Sequence, residues 1–393
     1  MNNPSTSSPS TSITSLSREI LLKILTGLPP KSAVRFRCTS KFFHALIPEP
    51  RFAFRILVSL PSKTRPILNL YSVNYSEDSH GNLQADTAER LDTRDLVCLA
   101  GSSSADGKLC LLSDELGDDA VFDLSTRRSI PLPRFSLPPY RYLSCGVLGF
   151  GFFFYRRRFP GRPISSRTVL GFDSVSGKYK VFKPAVYYDS DGMFNRLWVF
   201  TLGVDDSWRE IEIEIEIEVE RDNRYIDAVV HVNGTVYLVP RTKSRITAMD
   251  VATERLTALI PFPSEYQPGR PWMNLNGLLA FVNVPKRGDP EWGMEVWTLG
   301  RAVEWERRAV APPSEEEREV IREATSMGFA SNSMGEIVLL LQGKGMCPLV
   351  LVYSFGRGVW RRFEISGVYN YLLLLSYMRG VVHVEDESAI FLE

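Results

Sequence analysis

A glycine followed by a short apolar strand recurs along most of this chain: "DGKLCLL" at 106, "NGTVYLV" at 233, "NGLLAFV" at 276, "MGEIVLLL" at 334 and "RGVVHV" at 379. Each glycine supplies the positive φ that a tight hairpin turn demands. A second half follows about 15 to 20 residues later, as "VFDLSTRRSIPLP", "TAMDVATERLTALIPFP", "VWTLGRAVEWERRAVAPP" and "VYSFGRGVWRRFEI", each two strands joined by a turn. Gly234, Gly277, Gly335 and Gly380 are separated by 43, 58 and 45 residues. A period of about 40 to 50 residues with several short strands per unit specifies a β-propeller, because one such unit cannot bury its apolar faces except against its neighbours. Between Gly107 and Gly234 lies an expanded unit with "LGFDSVSGKYKVF" and "LWVFTLGVDDSWREI" as its strands, which brings the expected count to six. The last unit is too short for four strands before Glu393, so the ring is expected to close by pairing its two chain ends. The stretch "RPILNLYSVNY" at 65 to 75 is the expected complement, within a propeller over 62–393.

The segment 15–55 has a different period. Its apolar residues recur at helical spacing in "LSREILLKILTGLPPKSAVRFRCTSKFF". A first helix is expected from Arg18 to Thr26 with Ser17 as N-cap, ended by Gly27 and the two prolines that follow Leu28. Shorter helices fit Ser32 to Arg37 and Ser40 to Leu46. Ile20, Leu21, Ile24, Leu25 and Leu28 spread over roughly 140° of the wheel, wider than the roughly 100° stripe that covers one core. About forty residues bury little surface by themselves, so the surplus arc points to a partner or to packing on the next domain. Ahead of it, "MNNPSTSSPSTSIT" (1–14) is a polar tail with no basic or apolar targeting region.

Chemistry is scarce. Lysine plus arginine equals aspartate plus glutamate, 46 each, so no global field favours nucleic acid, a membrane or an acidic substrate. The five cysteines are scattered, never in a CxxC spacing, and are expected as small buried apolar residues in a reducing cytoplasm or nucleus. The four histidines (His44, His80, His231, His383) lack metal spacing, and no GxSxG elbow occurs. "GSSSADGK" at 101 imitates a phosphate loop, but a strand follows it where a helix is needed. No catalytic residue, metal or cofactor is expected. Three stretches stand apart. "EIEIEIEIEVE" at 210–220 alternates strictly, as an outer or protruding strand with isoleucines on one face or as an acidic ribbon for a basic partner. "YRRRFPGRP" at 155–163 is an exposed basic turn, or an import or phosphate contact. "PPSEEEREVIREA" at 312–324 is an inserted, solvated helix whose Ser314 and Glu317 form a capping box.

Taken in order, these residues carry a resemblance. "LSREILLKILTGLPPKSAVRFRCTSKFFHALIPEPRF" resembles an F-box of the plant type. "LSTRRSIPLP", "GFDSVSGKYKV", "SWREI", "NGTVYLV", "LNGLLAFV", "EVWTL" and "VWRRFEI" stand in the order of the F-box-associated, kelch-like propeller. The resemblance implies a short three-helix F-box followed by a β-propeller. It also implies a non-catalytic substrate receptor of an SCF-type (Skp–cullin–F-box) ubiquitin ligase, docking on a Skp-type adaptor and through it on a cullin–RING ligase, while the propeller holds an unknown substrate protein. Carried over by position, the adaptor face would comprise Leu16, Ile20, Ile24, Leu28, Pro29, Val34, Cys38 and Phe43. Ser17 stands where the family usually has proline, Phe43 where it has tryptophan, and Pro30 and Thr39 where it has aliphatic residues. These departures leave open an interaction scaffold with a degenerate F-box. A propeller enzyme or sugar-binding module is the reading from a different class, and it requires convergent carboxylates or a metal in the channel.

Overall fold

The computed structural model describes residues 16–17, 20–21, 39–46, 53–61, 68–78, 80–91, 104–105, 107–111, 119–124, 126–135, 168–189, 192–211, 226–240, 245–284, 293–332, 334–343, 347–368 and 382–387. Among these residues the strands form six antiparallel sheets, one for each unit counted in the sequence. Blade 2 holds β5–β8 (Ser104–Ala105, Lys108–Leu111, Ala120–Asp123, Arg128–Pro131) and blade 3 holds β9–β12 (Val169–Asp173, Lys178–Asp189, Gly192–Thr201, Arg209–Ile211). Blade 4 holds β13–β16 (Ile226–Val232, Thr235–Pro240, Ile246–Asp250, Leu256–Ile260) and blade 5 holds β17–β20 (Trp272–Leu275, Leu278–Asn283, Glu295–Leu299, Trp305–Ala309). Blade 6 holds β21–β24 (Ser326–Ser331, Ile337–Gln342, Leu349–Ser354, Val359–Glu364).

Blade 1 is built from both ends of the chain. Its order is β25 (Val382–Glu387), β1 (Ala53–Pro61), β2 (Leu68–Glu77) and β3 (Leu83–Ala85), with β4 (Glu89–Arg90) also pairing β2. The ring therefore closes by pairing N- and C-terminal strands, as expected. The direct partner differs from the expectation: β25 pairs β1, from Ala53 opposite Glu387 to Val58 opposite Val382, and 68–77 lies one strand further out. The strand "AFRILVSLP" follows directly on the helical segment and was easily taken for its tail. Its alternation is nonetheless that of a strand buried on both faces. Phe54, Ile56, Val58 and Leu60 pack toward blade 6, while Leu57 packs toward blade 2. The first propeller strand thus begins ahead of residue 62.

Six apolar clusters fill the six seams. Leu57, Leu70, Leu109 and Phe122 join blades 1 and 2, and Cys110, Val121, Val181 and Phe200 join 2 and 3. Val169, Phe182, Val236 and Met249 join blades 3 and 4; Val230, Ile246, Leu279 and Leu299 join 4 and 5. Val282, Val296, Ile337 and Tyr353 join 5 and 6, and Ile56, Val58, Val338, Val350 and Phe363 join 6 and 1. Polar latches reinforce them. Tryptophans at the outer strands donate their indole N–H to the preceding blade: Trp208 to Pro133 O at 2.8 Å, Trp305 to Pro261 O at 2.9 Å, Trp360 to Ala311 O at 2.7 Å. The other three seams have ion pairs, Glu89 with Arg127, Glu254 with Lys180 and Arg209, and Glu77 with Arg357 and Arg361, and the seam of blades 2 and 3 adds a buried pair of Lys183 with Asp119 to its tryptophan bond.

In blades 2 to 6 the first strand is innermost, as shown by β17 lying beside β13 and β21, and β9 beside β5 and β13. Turns between first and second strands, and between third and fourth, are short and gather on one face, here the turn face. Asn233–Gly234 and Asn276–Gly277 both have positive φ, at 46° and 78° and at 51° and 77°. Consecutive turns also interlock. Asn233 Nδ2 donates to Gly277 O at 3.0 Å, and a Cβ on Gly277 would fall 2.8 Å from that nitrogen. Asn-Gly therefore serves both the turn and the close approach of blades 4 and 5.

Candidate adaptor-docking and substrate-facing surfaces

β1 is the second strand from the axis, so its first residue, Ala53, lies on the turn face beside the end of β25. The helical segment is therefore attached to the turn face. Within it, Ser17 caps the first helix as expected: its Oγ accepts from Ile20 N at 3.4 Å, and its carbonyl accepts from Leu21 N at 3.0 Å. Leu21 turns inward, 2% exposed, while Leu16 and Ile20 remain 36% and 51% exposed. The last expected helix is present as α1 (Lys41–Leu46), and Ser40 Oγ accepts from Phe43 N at 3.2 Å at its start.

Of the adaptor-face residues expected from sequence, Leu16 and Ile20 are placed on the surface. Phe43 is 7% exposed and its neighbour Phe42 is 44% exposed, the two rings meeting edge to face at 5.3 Å. Ile24, Leu28, Pro29, Val34 and Cys38 lie outside the described residues, as does the expected helix over Ser32 to Arg37. The described apolar surface of the segment is thus Leu16, Ile20 and Phe42. Phe43 is the position that the resemblance gives, where the family has tryptophan; its ring is buried here, and its neighbour Phe42 is the exposed one.

The opposite face, here the loop face, carries the connections between blades. One holds α2 (Glu315–Glu323), whose capping box is formed: Ser314 N donates to Glu317 Oε2 at 2.9 Å and Glu317 N to Ser314 Oγ at 3.3 Å. Its Val320 and Ile321 pack over Leu339, Leu341 and Leu351, and Glu315, Glu316 and Glu319 stay exposed, which matches the solvated insertion expected. The basic stretch 155–163 and the ribbon beyond Ile211 lie outside the described residues.

Between blades 4 and 5 the loop face is better defined. Gly269 N donates to Asp227 Oδ2 at 2.9 Å, tying the loop before β17 to the start of β13 beside the axis. Next to it Arg270 donates through Nη1 to Val284 O and through Nη2 to Gln267 Oε1, at 2.9 and 2.8 Å. Behind it an aromatic cluster of Tyr266, Trp272, Phe281 and Trp305 closes the seam, with ring centroids 4.9 to 6.0 Å apart along its contacts. Burial pushes the Arg270 guanidinium below its ordinary value, with Tyr266 acting in the opposite direction. Arginine in a Gly-Arg-Pro loop gave no signal of its own in the sequence.

The F-box associated beta propeller domain model matches residues 71–384, and the F-box domain model matches residues 13–55. The chain belongs to the F-box associated β-propeller family. Its relatives in Arabidopsis thaliana include F-box protein At2g40925, 24% identical over 399 residues that cover 95% of this chain and 93% of the relative. F-box only protein 8 is 23% identical over 255 residues, covering 62% of this chain and 78% of that protein.

In this F-box protein the cysteine expectation is met at Cys110, which is buried in the seam of blades 2 and 3, and fails at Cys347, which is exposed. Cys347 sits in the connection between the second and third strands of blade 6. Among the described residues no helix is long and apolar enough to cross a membrane, and no group of three or more His, Cys, Asp or Glu is placed to hold a metal ion.

Proposed function

We propose that this chain is the substrate-recognition subunit of an SCF-type E3 ubiquitin ligase. Its F-box docks on a Skp-type adaptor through Leu16, Ile20 and Phe42, completed by Ile24, Leu28, Pro29, Val34 and Cys38, and its propeller binds the substrate protein. The observation that carries this reading is the division of apolar surface. In the propeller the inner strands consume it in seams and leave single residues such as Ile130, Leu256 and Val359 exposed on the outermost strands, whereas the F-box leaves Leu16, Ile20 and Phe42 exposed within about thirty residues. Aliphatic and aromatic anchors on short helices are what a helical adaptor groove desolvates. Phe43, turned inward, supports the helix that presents Phe42.

The substrate is held on the loop face. Attachment of the F-box at Ala53 puts the adaptor on the turn face, and the loop face is then free to face the ligase's target. The chain itself performs no chemistry in this reading and works in the cytoplasm or nucleus.

Co-expression with a Skp-type adaptor tests it. The adaptor is expected to co-purify with the wild type and to be lost with Ile24→Asp or Leu28→Asp while the propeller keeps its melting transition. Capture that survives both substitutions overturns the docking face. A wild type that captures no adaptor favours the scaffold with a degenerate F-box.

A further inference from the structure

Arg270 occupies an unusual place. It precedes the innermost strand of blade 5 at the loop-face end, and the neighbouring Gly269 is bound to the start of the innermost strand of blade 4. It is half-buried, and among the described residues it has no carboxylate within ion-pairing distance. The contrast is with Arg209, Arg307, Arg357 and Arg361 around the same ring, each of which meets a glutamate. A desolvated guanidinium without a counter-charge is costly unless something supplies one.

The group is also held in position. Hydrogen bonds to Val284 O and Gln267 Oε1 take one N–H from each terminal nitrogen and leave one on each. The Nε–H is closed off without an acceptor. One N–H on each terminal nitrogen of Arg270 therefore remains without an acceptor among the described residues, although the Asp227 carboxylate is bound to the adjacent Gly269. Two parallel N–H groups on a fixed guanidinium match the oxygen spacing of a carboxylate or phosphate.

We infer that Arg270 is the anchor for an oxyanion carried by the protein captured on the loop face, at the axial mouth between blades 4 and 5. This deepens the substrate-receptor reading and rests on its placement of the substrate, but the anion site stands or falls on its own measurement. The ligand group is a carboxylate or a phosphate; a lysine-rich segment is disfavoured there.

Phenylglyoxal footprinting of the full chain, mapped by mass spectrometry, tests this without any substitution. Inorganic phosphate and acetate are compared with chloride at equal ionic strength. Arg270 is expected to react in chloride and to be protected saturably by one or both anions, while the exposed Arg127 is not; the anion that protects better identifies the source. A matching fluorescence titration of the tryptophans is expected to weaken about tenfold or more in Arg270→Gln and less in Arg270→Lys. An Arg270 that never reacts in chloride, or that reacts equally in all three salts, overturns the inference. Adaptor capture by Arg270→Gln is expected to equal that of the wild type. Loss of adaptor capture by the wild type would remove the ligase reading and leave the footprint standing.

Discussion

The F-box and the propeller treat the same kind of side chain in opposite ways. Ile56, Val58, Val338 and Val350 are fully buried between blades, whereas Ile20 and Phe42 stand open on short helical turns. Length explains the difference. A ring of six sheets packs its inner strands between neighbouring blades, so their apolar faces are buried within the chain, while single residues of the outermost strands such as Ile130, Leu256 and Val359 stay exposed. A segment of about forty residues has too little interior for that. In the proposed function, the exposed apolar surface of the F-box is what the adaptor covers.

The sharpest way to break this contrast is to damage each region and look for a crossed effect. Leu340→Ala, in the seam that closes the ring between blades 6 and 1, is expected to cost about 2–5 kcal/mol of stability. Chemical denaturation measures it, and adaptor capture per folded molecule should not change. Ile20→Asp should do the reverse. A binding loss of about 2 kcal/mol, roughly thirtyfold, is expected by calorimetry with the adaptor, at an unchanged propeller melting temperature. A fall in stability with Ile20→Asp would mean that the F-box surface is already spent on the propeller.

Smaller effects separate the two kinds of seam. Trp360→Phe removes the donor to Ala311 O while keeping most of the ring, and about 1 kcal/mol is expected from thermal melts. The seam of blades 3 and 4 depends instead on Glu254. Burial alone would raise its pKa, but hydrogen bonds from Arg209 and Lys180, with their charges, hold it below the usual glutamate value. A carboxylate depressed in the folded state contributes stability above its unfolded pKa and loses it as pH falls through the folded one. Melting temperature should therefore drop below about pH 4.3 more steeply in the wild type than in Glu254→Gln, which starts lower at neutral pH. Equal slopes would show that this ion pair contributes nothing to the seam.

Much of the propeller was legible because its signals are local. Asn-Gly at 233 and 276 demands a left-handed turn, and alternating apolar residues demand a strand with a buried face, whatever lies elsewhere in the chain. The strand "AFRILVSLP" was the exception: it pairs 68–77 nearby, but the partner that closes the ring is more than three hundred residues away, and no local signal separates a propeller strand from an F-box tail. At the F-box, the resemblance named Leu16, Ile20 and Phe43 by position; here Leu16 and Ile20 are exposed and Phe43 is buried, while Phe42, about 100° away on the helix, is exposed.

The sequence by itself determined the number of blades, the turn chemistry and the division into a helical segment and a ring, because period, glycine and capping residues act over a few positions. Tertiary structure alone decided which strand closes the ring, that the F-box attaches on the face opposite the long loops, and that Arg270 stands at the axial mouth with no ion pair among the described residues. Those outcomes depend on which distant strands meet, and pairing at that separation is settled by the packing of whole faces.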